Sequence, residues 1–98
     1  RKKQKKEFKN YLNAPNVIVL SSTVGNNEFF VNYNGITDFQ CIILNRWGNK
    51  VYEYFDPTGT WPGTNMSGKV LDEGTYFYKI NAKFEGGNEI QKHGFVVL

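Results

Sequence analysis

The 98 residues have a mass of 11.3 kDa, which is enough for one domain, and aromatic residues make up 16% of them. No apolar stretch approaches the ~20 residues of a membrane-spanning helix, and the single cysteine, Cys41, excludes an internal disulfide and a cysteine-cluster zinc site. The net charge of +3 is uneven, because residues 1–9 carry +5 and the remaining 89 residues carry −2. A nucleic-acid-binding domain needs its cations on the folded face that meets phosphates, so this distribution argues against one.

Residues 1–13 are predicted to be a short basic linker or the end of a preceding domain, and residues 14–98 the folded domain. The boundary is set at Ala14-Pro15-Asn16, because proline has no N–H and forces the residue before it into an extended conformation. The simplest interpretation of the basic segment is a solvated linker. The alternative is a segment that is attracted to anionic lipid or lipopolysaccharide.

The domain reads as a series of strands separated by turns, with no helical pattern. Residues 75–85 show the clearest alternation, and a period of two over that length predicts a half-buried antiparallel strand. The predicted strands are 17–20, 28–33, 39–44, 50–55, 75–85 and 89–98. This pattern predicts an all-β fold, a small antiparallel immunoglobulin-like β-sandwich of about seven strands.

Two connections differ in character. The five residues Asn45-Arg46-Trp47-Gly48-Asn49 suit an antiparallel hairpin in which Gly48 or Asn49 takes a positive φ. Residues 56–74 form a long irregular connection that opens with a predicted type I turn at Asp56-Pro57-Thr58-Gly59.

Four short motifs follow one another in a characteristic order. They are N-R-W-G at 45–48, W-P-G at 61–63, D-E-G-T-Y-F-Y at 72–78 and K-H-G-F-V-V-L at 92–98. Over about residues 15–98 this order resembles the gliding motility-associated C-terminal domain, the type B sorting domain of the type IX secretion system of Bacteroidota. The resemblance assigns structural motif roles to Asn45, Gly48, Trp61, Gly63, Gly74, Thr75, Tyr76 and Gly94.

The sequence departs from that family at three places. Val24 stands where the opening turn of the family has an acidic residue, so no calcium site is expected there. Pro62 replaces the usual Asp or Asn after the tryptophan, and Asp72 replaces the usual proline before Glu-Gly-Thr-Tyr. These changes alter the chemistry of the turns and leave the order of the motifs intact.

The resemblance implies a C-terminal sorting signal rather than an enzyme. The domain would direct a large surface protein, such as a gliding adhesin, through the periplasm and across the outer membrane to the cell surface. Its implied partners are an outer-membrane translocon or shuttle protein and a dedicated type B partner membrane protein, with no nucleic acid and only indirect membrane contact. No catalytic motif is present, and no cofactor, metal or catalytic residue is expected.

Two other functions remain open on the sequence. An immunoglobulin-like adhesive module would bind surface glycans or proteins through exposed tyrosines and tryptophans. A small nucleic-acid-binding barrel is the weaker alternative, because the folded part is mildly acidic.

The candidate partner-binding residues fall in two places, and each has a structural alternative. Arg46 and Trp47 either fold onto the sheet as a stacked cation–π pair or stay exposed as a receptor contact. The last strand is either an ordinary interior strand or an edge that pairs with a partner strand. The candidates are Arg46, Trp47, Phe95, Val96, Val97 and Leu98.

Three single features complete the predictions. Cys41 lies in the most apolar strand and is expected to be a buried small hydrophobic residue. His93 is expected at the surface or at a sheet edge, without a catalytic or metal-binding role. Asp72-Glu73-Gly74 is expected to be a turn in which Gly74 takes a positive φ, with partner contact as the alternative.

Overall fold

The computed structural model describes residues 9–14, 17–19 and 29–98, and the description below concerns these residues. None of them forms a helix long and apolar enough to cross a membrane. The strands are β1 (Tyr11–Asn13), β2 (Val17–Val19), β3 (Asn32–Asn34), β4 (Ile36–Leu44), β5 (Lys50–Tyr54), β6 (Thr75–Phe84) and β7 (Glu89–Val97).

The strands form two sheets. One is the antiparallel pair β1–β3, and the other has five strands in the order β2-β7-β6-β4-β5. The pairs within the larger sheet are antiparallel except β2–β7, which run parallel with Val17 beside Phe95. The predicted all-β, sandwich-like class is confirmed. The parallel pair departs from the expected antiparallel pattern, because alternation along a strand sets its faces and does not choose its neighbour.

The centre of the large sheet follows directly from the sequence pattern. Alternate residues of β6 from Tyr76 to Phe84 are buried, as the period of two predicts. β4 also alternates, with Phe39, Cys41 and Ile43 buried and the residues between them on the other face. Cys41 is fully buried, which confirms its predicted place in the core.

The core is closed by two residues from outside the long strands. Phe29 and Trp61 are fully buried and form an isolated antiparallel bridge, with hydrogen bonds of 3.0 Å in both directions between their backbones. The Phe29 ring lies 4.7 Å from that of Tyr78, and the Trp61 ring lies 5.8 Å from that of Tyr76. Buried aromatic pairs of this kind contribute about 0.5–1.5 kcal/mol each beyond the area that they bury.

The start of the chain differs from the prediction. Residues 11–13, which the sequence analysis placed in the linker, form β1, and Leu12 is 2% exposed beside Tyr33. A strand of three residues is too short to show a periodicity in the sequence. Where the strand 28–33 is predicted, the described residues form an isolated bridge at Phe29 and then β3 from Asn32. The predictions for residues 1–8, 15–16, 20, 24 and 28 lie outside the described residues.

Candidate functional site

The connection between β4 and β5, residues 45–49, is here called the tip loop. Asn45 organises it, since its side-chain Oδ1 accepts hydrogen bonds from the backbone N–H groups of Trp47 (3.0 Å) and Asn49 (2.9 Å). Its backbone N–H donates to the Asn49 carbonyl at 2.9 Å, and Gly48 donates to the Asn45 carbonyl at the same distance. Gly48 has φ +83°, a conformation that glycine adopts without strain, so of the two predicted candidates Gly48 takes the positive φ.

The two residues at the tip project from the domain. Trp47 is 73% exposed, and the guanidinium carbon of Arg46 lies 4.9 Å from the centre of its ring. The two side chains therefore stack on each other, a contact that contributes ~0.5–1 kcal/mol at an exposed site. Of the alternative in which the pair folds onto the sheet, the cation–π stack is therefore present, whereas the burial of Trp47 against the sheet is wrong.

The same loop occurs a second time at residues 65–69, here called the side loop. Asn65 Oδ1 accepts from the backbone N–H groups of Ser67 (2.9 Å) and Lys69 (3.0 Å). Asn65 N–H donates to the Lys69 carbonyl at 2.9 Å, and Gly68, with φ +88°, donates to the Asn65 carbonyl at 3.0 Å. This repetition is not among the predictions made from the sequence, although its signal, Asn-x-x-Gly, is present in both loops.

A second motif meets the tip loop at one end of the large sheet. Residues 72–74, here called the motif turn, lie beside it, and the two surround a depression of about 60 Å³. A side chain added at Gly74 would begin 3.9 Å from Arg46 Nη2. Two segments about 26 residues apart in sequence thus form one surface, a juxtaposition that the sequence analysis did not predict.

Tyr76 holds the motif turn in place. Its hydroxyl donates a 2.8 Å hydrogen bond to the Asp72 carbonyl, while its ring is buried against Trp61. Burial, with a smaller contribution from the Asp72 carboxylate, raises the pKa of Tyr76, and Arg46 partly offsets this. Tyr76 therefore stays protonated at neutral pH and keeps the hydroxyl hydrogen that it donates.

The end of the chain closes the same surface. Leu98 donates to the Gly74 carbonyl at 2.8 Å, and Gly74 donates to the Leu98 carbonyl at 3.2 Å. The Leu98 side chain lies only 3.3 Å from the position that a Cβ at Gly63 would occupy, so the glycine at that place, with φ +91°, leaves room for it. Two glycines of the predicted motif set thereby position the last residue.

The structure places β7 inside the sheet where the partner-binding candidates lie. Residues 95–97 pair with β2 on one side and β6 on the other, so of the two alternatives this segment is the interior strand. Val96 is fully buried, Val97 and Leu98 are partly buried, and Phe95 is 43% exposed on the outer face. Gly94 pairs with Tyr78 in the same ladder.

The opposite edge of the large sheet is β5. There the Glu53 N–H donates to the Met66 sulfur of the side loop at 3.3 Å, so the side loop covers part of this edge. The Glu53 carboxylate bonds Lys50 and accepts from Gln40 Nε2 at 2.8 Å, and these bonds, Lys50 first, lower its pKa. The edge thus carries charged and loop-covered groups, as natural sheet edges commonly do.

Two titratable groups of the interior, the Cys41 thiol and the Tyr54 hydroxyl, lie next to each other. Burial raises the pKa of the Cys41 thiol to about 12, and burial is also the main cause that raises the pKa of Tyr54, whose hydroxyl is buried next to that thiol. Both groups therefore remain protonated at neutral pH. His93 is exposed on the outer face of the large sheet, as expected.

These observations define a small all-β domain whose loop motifs meet at one end of a single sheet and present an exposed cation–aromatic pair. The chain belongs to the family of the CHU_C type IX secretion signal domain, whose family model matches residues 12–98. A type IX secretion signal directs export to the cell surface or the extracellular space, so this is a sorting-signal domain.

The fold has a counterpart among solved structures. The chain is similar to CopC from Methylosinus trichosporium OB3b, with a TM-score of 0.62 and 15% sequence identity over 91% of this chain and 92% of that one. At this identity the likeness concerns the fold alone. No curated protein shows significant sequence similarity to the chain.

Proposed function

We propose that this domain is recognised as a folded unit by an outer-membrane partner of the type IX secretion system, and that the tip loop and the motif turn form the contact surface. The observation that carries the proposal is the exposed pair Arg46–Trp47 on a rigid turn. Tryptophan and arginine are the residues most enriched among those that dominate binding energy at protein interfaces.

The turn itself does not require this pair. The side loop has the same hydrogen bonds with Met66 and Ser67 in the corresponding places. Arg46 and Trp47 are therefore not needed to shape the backbone, and an exposed tryptophan contributes little to the stability of the domain. Their presence on the tip loop is explained by a partner that covers them.

We also propose a cargo, an export route and partners for the domain. The cargo is a large surface protein such as a gliding adhesin. Its sorting domain is of the gliding motility-associated type B of Bacteroidota. It passes through the periplasm, and the domain meets the translocon or a shuttle protein and a dedicated partner membrane protein. The domain touches the membrane only through these partners and does no catalysis itself.

The test is export of a reporter that carries residues 1–98 at its C-terminus in a secretion-competent host. We expect the reporter at the cell surface or in the medium, and the double variant Arg46→Met/Trp47→Ser to reduce its export at least about tenfold. The matched control is Met66→Ala/Ser67→Ala in the side loop, which should leave export within about twofold of the wild type.

Two results would contradict the proposal. A wild-type reporter that stays in the periplasm of a host whose own type IX cargo is exported would rule out an autonomous signal. Equal export of the tip-loop and side-loop variants would show that the contact surface lies elsewhere. Glycan binding by the purified chain, with export unchanged when residues 14–98 are deleted, would support the adhesive alternative instead.

A further inference from the structure

The outer face of the large sheet, the face turned away from Trp61, carries an apolar band of one half-buried and two exposed side chains. We define the apolar band as Leu44, Phe77 and Phe95, which are register neighbours on β4, β6 and β7. The Phe77 and Phe95 rings meet edge to face, with centroids 5.9 Å apart and planes at 82°, and are 36% and 43% exposed. The two aromatic rings are thus exposed side by side on one face of the sheet.

Beside the apolar band the face carries a lysine next to a histidine. Lys79 and His93 form the next cross-strand pair, and both line a depression of about 290 Å³ that Phe77 borders on one side. Lys79 makes no ion pair with any residue that the structure describes, whereas Lys83, further along the same strand, lies 4.0 Å from the Asp38 carboxylate. The depression thus combines an aromatic wall with an uncompensated ammonium group.

We propose that the apolar band and Lys79 form a docking surface for an extended protein segment that presents apolar side chains and then a carboxylate on one face. Charge complementarity selects the carboxylate, because Lys79 is the cation on this face without a described partner. Alternate residues of a strand lie about 7 Å apart, the same step that separates the Phe77 row from the Lys79 row. This inference rests on the proposed function, since it names a second surface that the export partner contacts.

The apolar area and the charge of the face favour a segment of a partner protein over a second copy of the chain and over an anionic membrane. The exposed parts of the two rings amount to roughly 150 Å², a small fraction of the ~800 Å² per subunit that a stable dimer buries, so the apolar band by itself does not hold a second copy of the chain. An anionic membrane surface would favour uniformly basic residues, and this face also carries Asp38, Glu53 and Glu89. A single segment of a partner protein fits both observations.

The experiment is an NMR titration of the full 98-residue chain with two synthetic peptides. One contains Leu-Ser-Leu-Ser-Glu, and the other has Lys in place of Glu. We expect the Glu peptide to shift the amide signals of residues 77–79 and 93–95 and to bind at least about tenfold more tightly than the Lys peptide. Lys79→Glu should reverse that preference.

Variants of the apolar band test the aromatic contribution. Phe77→Thr/Phe95→Thr should weaken the Glu peptide at least about tenfold, because threonine preserves the strand while the rings are lost. The matched control is Phe55→Thr, since Phe55 is 64% exposed and lies outside the apolar band. Far-ultraviolet circular dichroism verifies that each variant is folded.

Several outcomes would overturn the inference. In the titration, these are amide shifts that do not cluster at the apolar band, or equal binding of both peptides. In sedimentation, it is self-association of the chain that Phe77→Thr/Phe95→Thr abolishes. With phosphatidylglycerol vesicles, it is binding that Lys79→Glu abolishes. Unchanged export of a Lys79→Glu reporter would also overturn it, because the surface would then not serve the export partner. Failure of the wild-type reporter to be exported would instead refute the proposed function.

Discussion

The tip loop and the side loop have the same backbone and different surroundings. In both, an asparagine side chain accepts from two backbone N–H groups two and four residues further on, at 2.9–3.0 Å. In both, the fourth residue is a glycine with φ between +83° and +88°. This is the geometry of a type I turn followed by a left-handed residue, a common way to close a hairpin.

The loops differ at their second and third positions. In the side loop, Met66 reaches back to the Glu53 N–H and covers part of the β5 edge. In the tip loop, Arg46 and Trp47 stack on each other, and Trp47 remains 73% exposed. The comparison teaches that the turn leaves these two positions free, and that only the side loop uses one of them for the domain itself.

A third turn shows what the asparagine adds. Between β6 and β7, Phe84 N–H donates to the Asn88 carbonyl at 2.8 Å and Gly87 donates to the Phe84 carbonyl at 2.9 Å. The backbone closes in the same way although Phe84 has no side-chain acceptor. The asparagine in the other two loops therefore stabilises a turn that the backbone can form without it.

The largest expected loss of stability follows from removing Trp61, which contacts the side loop. Trp61 Nε1 donates a 2.7 Å hydrogen bond to the Thr64 carbonyl, which directly precedes the side loop, and so joins the core to that loop. Trp61→Ala should lower the free energy of unfolding by about 3–5 kcal/mol, the usual cost of removing a large buried aromatic side chain. Urea denaturation measures it.

Hydrogen exchange sharpens the same test. In Trp61→Phe, which keeps an aromatic ring and removes the hydrogen bond, the Gly68 amide should lose more protection than the Gly48 amide. Equal loss at both glycines would show that the two loops are not anchored independently.

The next largest loss of stability tests the asparagine hydrogen bonds that the two loops share. Asn45→Ala and Asn65→Ala should each lower the free energy of unfolding by about 1–2 kcal/mol, because each removes two hydrogen bonds to backbone N–H groups. The control is Asn88→Ala, which should cost less than about 0.5 kcal/mol, since Asn88 closes its turn through its backbone carbonyl. A difference of more than 1 kcal/mol between Asn45→Ala and Asn65→Ala would contradict the equivalence of the loops.

The sequence predicts what local periodicity and turn chemistry determine. The alternation of β6 identifies its buried face, the apolar run of β4 places Cys41 in the core, and Gly48 is one of the two residues expected at positive φ. Each of these depends on residues within about ten positions of one another. The strength of the local pattern explains why the all-β class could be predicted.

Contacts between segments that are distant in sequence could not be predicted. The parallel pairing of β2 with β7 joins residues that lie 78 positions apart, and nothing in the Val17–Val19 run distinguishes that neighbour from others. The meeting of the tip loop with the motif turn depends on the order of strands in the sheet, which decides which loops share one end. The motif order suggested that both segments matter, and only the fold shows that they form one surface.

The smallest expected effect on stability is the most informative about the tip loop. Arg46→Met/Trp47→Ser gives the tip loop the central residues of the side loop and should change the free energy of unfolding by less than about 1 kcal/mol, because an exposed cation–π pair contributes only ~0.5–1 kcal/mol. Since Trp61 is then the single tryptophan, and is fully buried, the emission should shift to shorter wavelength and resist quenching by iodide. A loss of more than about 2 kcal/mol would mean that the pair supports the fold, and reduced export of this variant would then report instability rather than a lost contact.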